Sequence, residues 1–252
     1  MPSRTTANPF HARSDKHWKA FGKSNPYFGV LSDAKFKSDV LDDDARAEFF
    51  ETGRIEVTET LHRFRSVFGD FKQGSCLDFG CGVGRNTVHL ASQFESVTAV
   101  DISPDMLGEA ERNLLRNDRQ NVVFRETIGH GVFDFVYSNI VLQHIQPATG
   151  LRILSAILRQ VSSGGGGMIQ LIFRIPEKFD KLNRRMDAMP WLWGLRNVRK
   201  GRKFSHPRMA TYAYPIDEVL TLFHEAGIAS LFSEFTNHND HIGLKIFFRK
   251  PG

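Results

Sequence analysis

Leu77-Asp78-Phe79-Gly80-Cys81-Gly82-Val83-Gly84-Arg85-Asn86-Thr87-Val88-His89-Leu90-Ala91 is the stretch that decides the fold of this chain. A short apolar run from Cys76 to Phe79 ends in a glycine-rich turn, and the turn opens on residues that start a helix. Strand, glycine turn and helix N-terminus together make a nucleotide-binding element, in which small residues let the backbone approach a ligand and free amides point at it. The glycines follow a G-x-G-x-G spacing. A dinucleotide fingerprint, G-x-G-x-x-G, would place its third glycine at position 85, where this chain has Arg85. Asp78, two residues before the first glycine, belongs at the mouth of the turn. There a carboxylate repels a pyrophosphate and attracts an ammonium or a sulfonium.

Three further segments follow in order. Residues 95–101 alternate apolar positions as a second strand and end in Asp101, at an offset from Gly80 close to the roughly 20 residues expected of an acid that grips ribose hydroxyls. Residues 133–138 read as a fourth strand, followed by Asn139-Ile140-Val141-Leu142-Gln143-His144-Ile145. Ser163-Gly164-Gly165-Gly166-Gly167 reads as a turn before a buried fifth strand, Met168-Ile169-Gln170-Leu171-Ile172-Phe173. With these motifs the chain resembles the class I S-adenosylmethionine-dependent methyltransferases, most closely the bacterial small-molecule type. The resemblance covers residues 75–173 well and the flanks loosely. It implies an α/β, Rossmann-like, doubly wound and mostly parallel seven-stranded sheet with an antiparallel last strand, preceded by a helical N-terminal arm and carrying an insertion after strand 5. It also implies S-adenosylmethionine as cofactor. Asp78, Gly80, Cys81, Gly82 and Gly84 would lie at its amino-acid end, Asp101 at the ribose, Ile102, Thr127 and Ile128 around the adenine, and Ser138 and Asn139 near the sulfonium.

Composition sets the frame. The chain has 252 residues, 41% hydrophobic and 24% charged, enough for one α/β domain with additions. Neither a membrane-spanning apolar run nor a signal-peptide core stands out, so a cytoplasmic protein is expected. Cys76 and Cys81 are the only cysteines and lack a CxxC spacing, which argues against a disulfide or a metal site. The expected division is an arm and helical lead-in over residues 1–72, with a possible helix break at Gly53, and a methyltransferase domain over 73–252 carrying a basic lid at 174–213. Six large apolar residues between Trp18 and Leu31 imply that the arm packs back on the body.

The net charge of +5 is concentrated. Residues 174–208 hold eleven Lys or Arg against three Asp or Glu, beside Trp191 and Trp193. That pattern suits a small-molecule acceptor, anionic or sugar-bearing. It equally suits nucleic acid or an anionic membrane surface.

Methyl transfer is an in-line displacement that proximity and orientation largely promote, and a base is needed only where the acceptor must lose a proton. The candidates are His144, just after the fourth strand, and His238 and His241 in the closing turn, where Asp240 lies beside them. The alternatives for each are a packed or capping histidine and an ordinary polar hairpin tip. The expected function is methylation of a small-molecule or glycan-type acceptor at oxygen or nitrogen, the alternative an RNA- or other nucleic-acid-directed protein using the basic segment. A dinucleotide oxidoreductase is disfavoured by Arg85 and Asp78.

Overall fold

A computed structural model describes residues 14–238 and 240–252, with the side chain of His238 left aside. Residues 1–13 of the expected arm, Asn239 and the His238 side chain lie outside the described residues. Seven strands form one sheet in the order β3-β2-β1-β4-β5-β7-β6. These are β1 Ser75–Phe79, β2 Ser96–Val100, β3 Val122–Arg125, β4 Phe133–Ser138, β5 Val161–Arg174, β6 Ser230–His238 and β7 His241–Arg249. The first five pair in parallel, and β7 runs antiparallel to both β5 and β6. The order reverses between β1 and β4, which places a crevice at the C-terminal ends of those strands.

Strand alternation divides the core into two layers. Leu77, Phe79 and Val136 face α6 (Pro147–Arg159) and α9 (Ile216–Glu225), whose Ile153, Ile157, Val219 and Phe223 are fully or nearly buried. Cys76, Phe135 and Tyr137 face the other way, against Val57, Leu61 and Phe64 of α3 (Asp43–Phe68), Val88 of α4 (Thr87–Leu90) and Leu114 of α5 (Pro104–Arg116). This is the three-layer solution for a sheet buried on both faces.

Two expectations are corrected. Helix α3 runs through Gly53 without a break. A Cβ there would come 2.3 Å from the Arg85 carbonyl oxygen, so the glycine admits the glycine turn against the helix. Residues 163–167 are strand rather than turn: β5 is 14 residues long and includes them. A Cβ on Gly166 would strike the Phe64 ring and one on Gly167 the Val136 carbonyl, so these positions are bare because helix and strand lie close.

The arm forms α1 (Asp15–Ser24) and α2 (Pro26–Val30) and packs on α5. Tyr27 Oη receives a hydrogen bond from Arg46 at 2.7 Å and donates to Glu109 Oε1 at 2.7 Å. After β5 the chain makes α7 (Glu177–Ala188) and α8 (Trp191–Arg199), then returns to the sheet through a loop.

Candidate cofactor and acceptor site

The glycine turn takes its shape from the conformations of its residues. Gly80 and Gly82 have φ of +81° and +55°, which L side chains avoid, and a Cβ on either would strike Val141 or Val30. Contrary to the expectation of free amides, those of the turn are used internally. Gly80 and Cys81 N–H donate to the Val100 carbonyl at 2.7 and 3.0 Å, Gly82 N–H to Asp101 Oδ2 at 3.0 Å, and Gly84 N–H to the Cys81 carbonyl. The turn is tied to the end of β2 and does not present these donors to a phosphate.

Above the turn lies a cavity of about 410 Å³, within the usual range for a bound small molecule. Of the expected site residues, Asp78, Gly80, Cys81, Gly82, Asp101, Ile102, Thr127, Ile128, Asn139, His144 and His241 line it. Gly84 and Ser138 do not. Gly84 packs on Ala110 and Leu114 of α5, and Ser138 is fully buried at the end of β4. His238 is placed by its backbone alone, opposite His241 in the closing hairpin.

Two carboxylates dominate the electrostatics, Asp78 buried and Asp101 half-buried. Burial pushes Asp78 up to about 7, opposed by a 2.7 Å hydrogen bond from Thr87 Oγ1 and by the nearby Arg85. Burial pushes Asp101 up to about 6, opposed by the amides of Ser103 and Gly82. Both are poised to gain from a cationic or hydroxyl-bearing ligand.

Several lining residues were not among the expected site residues. The Trp18 ring of the arm lies against His144, tilted, with ring centroids 4.9 Å apart, and Val30 and Leu31 complete that roof. Arg85 is 5% exposed; its Nη1 donates to Thr52 and its Nε has no partner. Among the described residues Ser14 Oγ and Asn86 Oδ1 likewise have no partner at the cavity wall. Met209 and Thr211 reach the cavity from the loop after α8.

His144 is held in one tautomer. Its Nδ1 lies 2.7 Å from the Ala210 carbonyl, which can only accept, so Nδ1 carries the proton and Nε2 the lone pair. The Gln143 amide nitrogen stands 3.3 Å from Nε2; Gln143 Oε1 accepts from Gln170, and Gln170 Oε1 accepts from the Ile140 amide at 2.7 Å. Burial lowers His144 to about 4, so the imidazole is neutral. Ile140 has φ of +62°, a strained conformation for a β-branched residue, and the Gln170 bond helps to hold it.

A roofed crevice at the switch point of a 3-2-1-4-5-7-6 sheet, with one carboxylate near the end of β1 and another just after β2, is the arrangement of the Rossmann-like methyltransferase fold. Residues 77–169 match the family model described as methyltransferase domain. An uncharacterised methyltransferase of Synechocystis is 34% identical over 90 residues, 35% of this chain and 42% of that protein. The chain spans less than half the length of the curated relatives it matches. Among solved structures, magnesium protoporphyrin IX methyltransferase from Synechocystis with bound S-adenosylmethionine superposes with a TM-score of 0.60 at 15% identity, over 98% of this chain and all of that one. The N-methyltransferase NodS from Bradyrhizobium japonicum, in complex with S-adenosylhomocysteine, does so at 0.54 and 15%, over 94% of this chain and all of that one. At these identities the likeness is one of fold.

Proposed function

We propose that this protein transfers a methyl group from S-adenosylmethionine to a small-molecule acceptor at oxygen or nitrogen, with residues 73–252 as the catalytic domain and 1–72 as its arm and lead-in. The observation that carries the reading is the pair of carboxylates, buried Asp78 and half-buried Asp101, that flank a glycine turn whose amides are turned inward. Such a floor favours a cationic, hydroxyl-bearing ligand over a pyrophosphate.

The residues present fit the cofactor. Asp78 receives the ammonium, and the incompletely bonded Arg85, whose Nε is free to donate, receives the carboxylate. Asp101 accepts from the ribose hydroxyls, and Ile102 and Ile128 flank the adenine. When bound, the cofactor supplies an electrophilic methyl on a positively charged sulfur. Trp18, His144 and Met209 enclose the acceptor end and exclude water there. His144 Nε2 accepts the proton or hydrogen bond of the acceptor's O–H or N–H, and His241, with His238 across the hairpin, borders the mouth.

The cavity favours an acceptor with an apolar body and one such group. The cations at 196–203 are not among its lining residues, so they do not supply a pocket for an anionic substituent.

Calorimetric titration with S-adenosylhomocysteine, with NADH as comparison, tests the cofactor reading. Micromolar binding of the first alone is expected; binding of NADH alone would overturn it. Transfer of labelled methyl to a panel of phenols, amines and glycosides then tests the acceptor class. With an acceptor in hand, His144→Gln should lower kcat at least about a hundredfold, the scale of general-base catalysis, with little change in cofactor affinity.

A further inference from the structure

Helix α8 is built inside out. Its protein-facing side carries Gly194 and Asn197: Asn197 Nδ2 donates to the carbonyls of Phe204 and His206, and the Phe204 ring occupies the space a Gly194 side chain would need. Leu192 and Trp193 are half-buried, Trp193 Nε1 donating to the His206 carbonyl, while the other apolar residues point outward. Trp191, Leu195 and Val198 share one face by their i, i+4, i+7 spacing and are 56%, 48% and 57% exposed, and Phe204 in the following turn is 55% exposed. A single exposed leucine needs no explanation, but a contiguous stripe with an aromatic at its end does.

The stripe is bordered by cations. Arg196, Arg199, Lys200, Arg202 and Lys203 are all exposed, and no acidic residue occurs between positions 188 and 216. The acids of α7 are committed elsewhere: Glu177 to Lys181, Asp180 to Arg184 and Asp187 to Arg208. Among the described residues none of the five cations is in an ion pair.

We infer that α8 and the turn after it dock the protein on an anionic membrane surface, with Trp191, Leu195 and Val198 entering the boundary between headgroups and acyl chains and the cations resting on lipid phosphates. Aromatic and aliphatic groups on one face with Lys and Arg at its margin are what an interfacial helix requires. A second copy of this chain seated on the same face would set five cations against five. A nucleic acid would use the cations and leave Leu195 and Val198 in water. Among the described residues no helix is long and apolar enough to cross a membrane, so the association is peripheral. Met209 and Thr211, which line the cavity, follow this turn directly, so the docked face borders the acceptor end. The inference does not depend on the methyl-transfer reading.

The test is co-sedimentation of the full chain, without cofactor, with sucrose-loaded vesicles of mixed phosphatidylcholine and phosphatidylglycerol, against phosphatidylcholine alone. Sedimentation with the mixed vesicles only is expected. The double variant Lys200→Glu, Arg202→Glu should reduce partitioning at least about 25-fold, since each surface cation contributes about fivefold. Leu195→Ser with Val198→Ser should reduce it at least about tenfold through lost apolar burial. Both variants alter exposed positions, and melting temperatures equal to that of the unaltered chain would show them folded. Equal sedimentation with both vesicle types, or with neither, would overturn the inference. So would serine variants that sediment undiminished, salt-dependent binding of an RNA homopolymer without vesicle binding, or a dimer that the serine variants abolish. Titration with S-adenosylhomocysteine on the same samples reads the cofactor site separately.

Discussion

Asp101 shows how much one side chain can be asked to do. Its two oxygens already accept from the Gly82 and Ser103 amides, so it shapes the turn as well as offering its remaining lone pairs to a ribose. Asp101→Ala is expected to weaken S-adenosylhomocysteine binding by about 1.5–3 kcal/mol, the range for hydrogen bonds to a charged group. An unchanged dissociation constant in a folded variant would move the ribose contact elsewhere. Asp78 and Asp101 also make the site pH-dependent. In the folded chain they titrate at about 7 and about 6, against an ordinary value of 3.8, so within that window the folded state holds the extra protons. Their contribution to stability is therefore present below 3.8 and lost as pH rises through 6 and 7. Asp78→Asn should flatten the dependence of the ligand-free melting temperature on pH across this window; an unaltered slope would show that Asp78 titrates normally. A cationic ligand needs these groups ionised, so its affinity should rise over the same range, which calorimetry at stepped pH reads directly. Gln170→Leu leaves the Ile140 amide without its acceptor and should cost about 1–3 kcal/mol in denaturant unfolding.

The strands and the helices that cover them were legible because each bears a local mark. β4 spans the expected residues, and Ser103 caps α5 through its hydroxyl, with Pro104 opening the helix. What was not legible depends on contacts between distant segments. Gly53 looks like a helix breaker until Arg85 is placed against it, and the glycines before Met168 look like a turn until Phe64 is seen lying on them. Of the site, the floor could be read from Asp78, Gly80, Gly82 and Asp101. The roof could not, because nothing in the pattern around Trp18 names His144 as its partner. The arm is held by a buried cluster in which Phe21 and Tyr27 pack with Phe49, Val83 and Met106, by the Tyr27 bonds to Arg46 and Glu109, and by the Trp18–His144 ring contact. Trp18→Ala, which removes one aromatic contact of about 0.5–1.5 kcal/mol, should weaken S-adenosylhomocysteine binding two- to tenfold, mostly through faster dissociation. Stopped-flow displacement would show it, and an unchanged off-rate would mean that the roof is not what retains the ligand.

At the scale of the molecule, cavity and arm lie at the C-terminal edge of the parallel strands, and ligand binding should stabilise the whole. At a hundredfold excess over the dissociation constant, S-adenosylhomocysteine should add about 2.7 kcal/mol to unfolding and raise the melting temperature by several degrees, while NADH leaves it unchanged. A shift with NADH alone would contradict the cofactor assignment. The insertion after β5 is a built element, pinned by Asp187 to Arg208, Tyr212 and Gln146. The inward-turned amides of Gly80, Cys81 and Gly82 have one more consequence. A floor already bonded to β2 is set before any ligand arrives, so it loses little conformational entropy on binding. A fragment such as adenosine should then bind with little entropic penalty from ordering the turn.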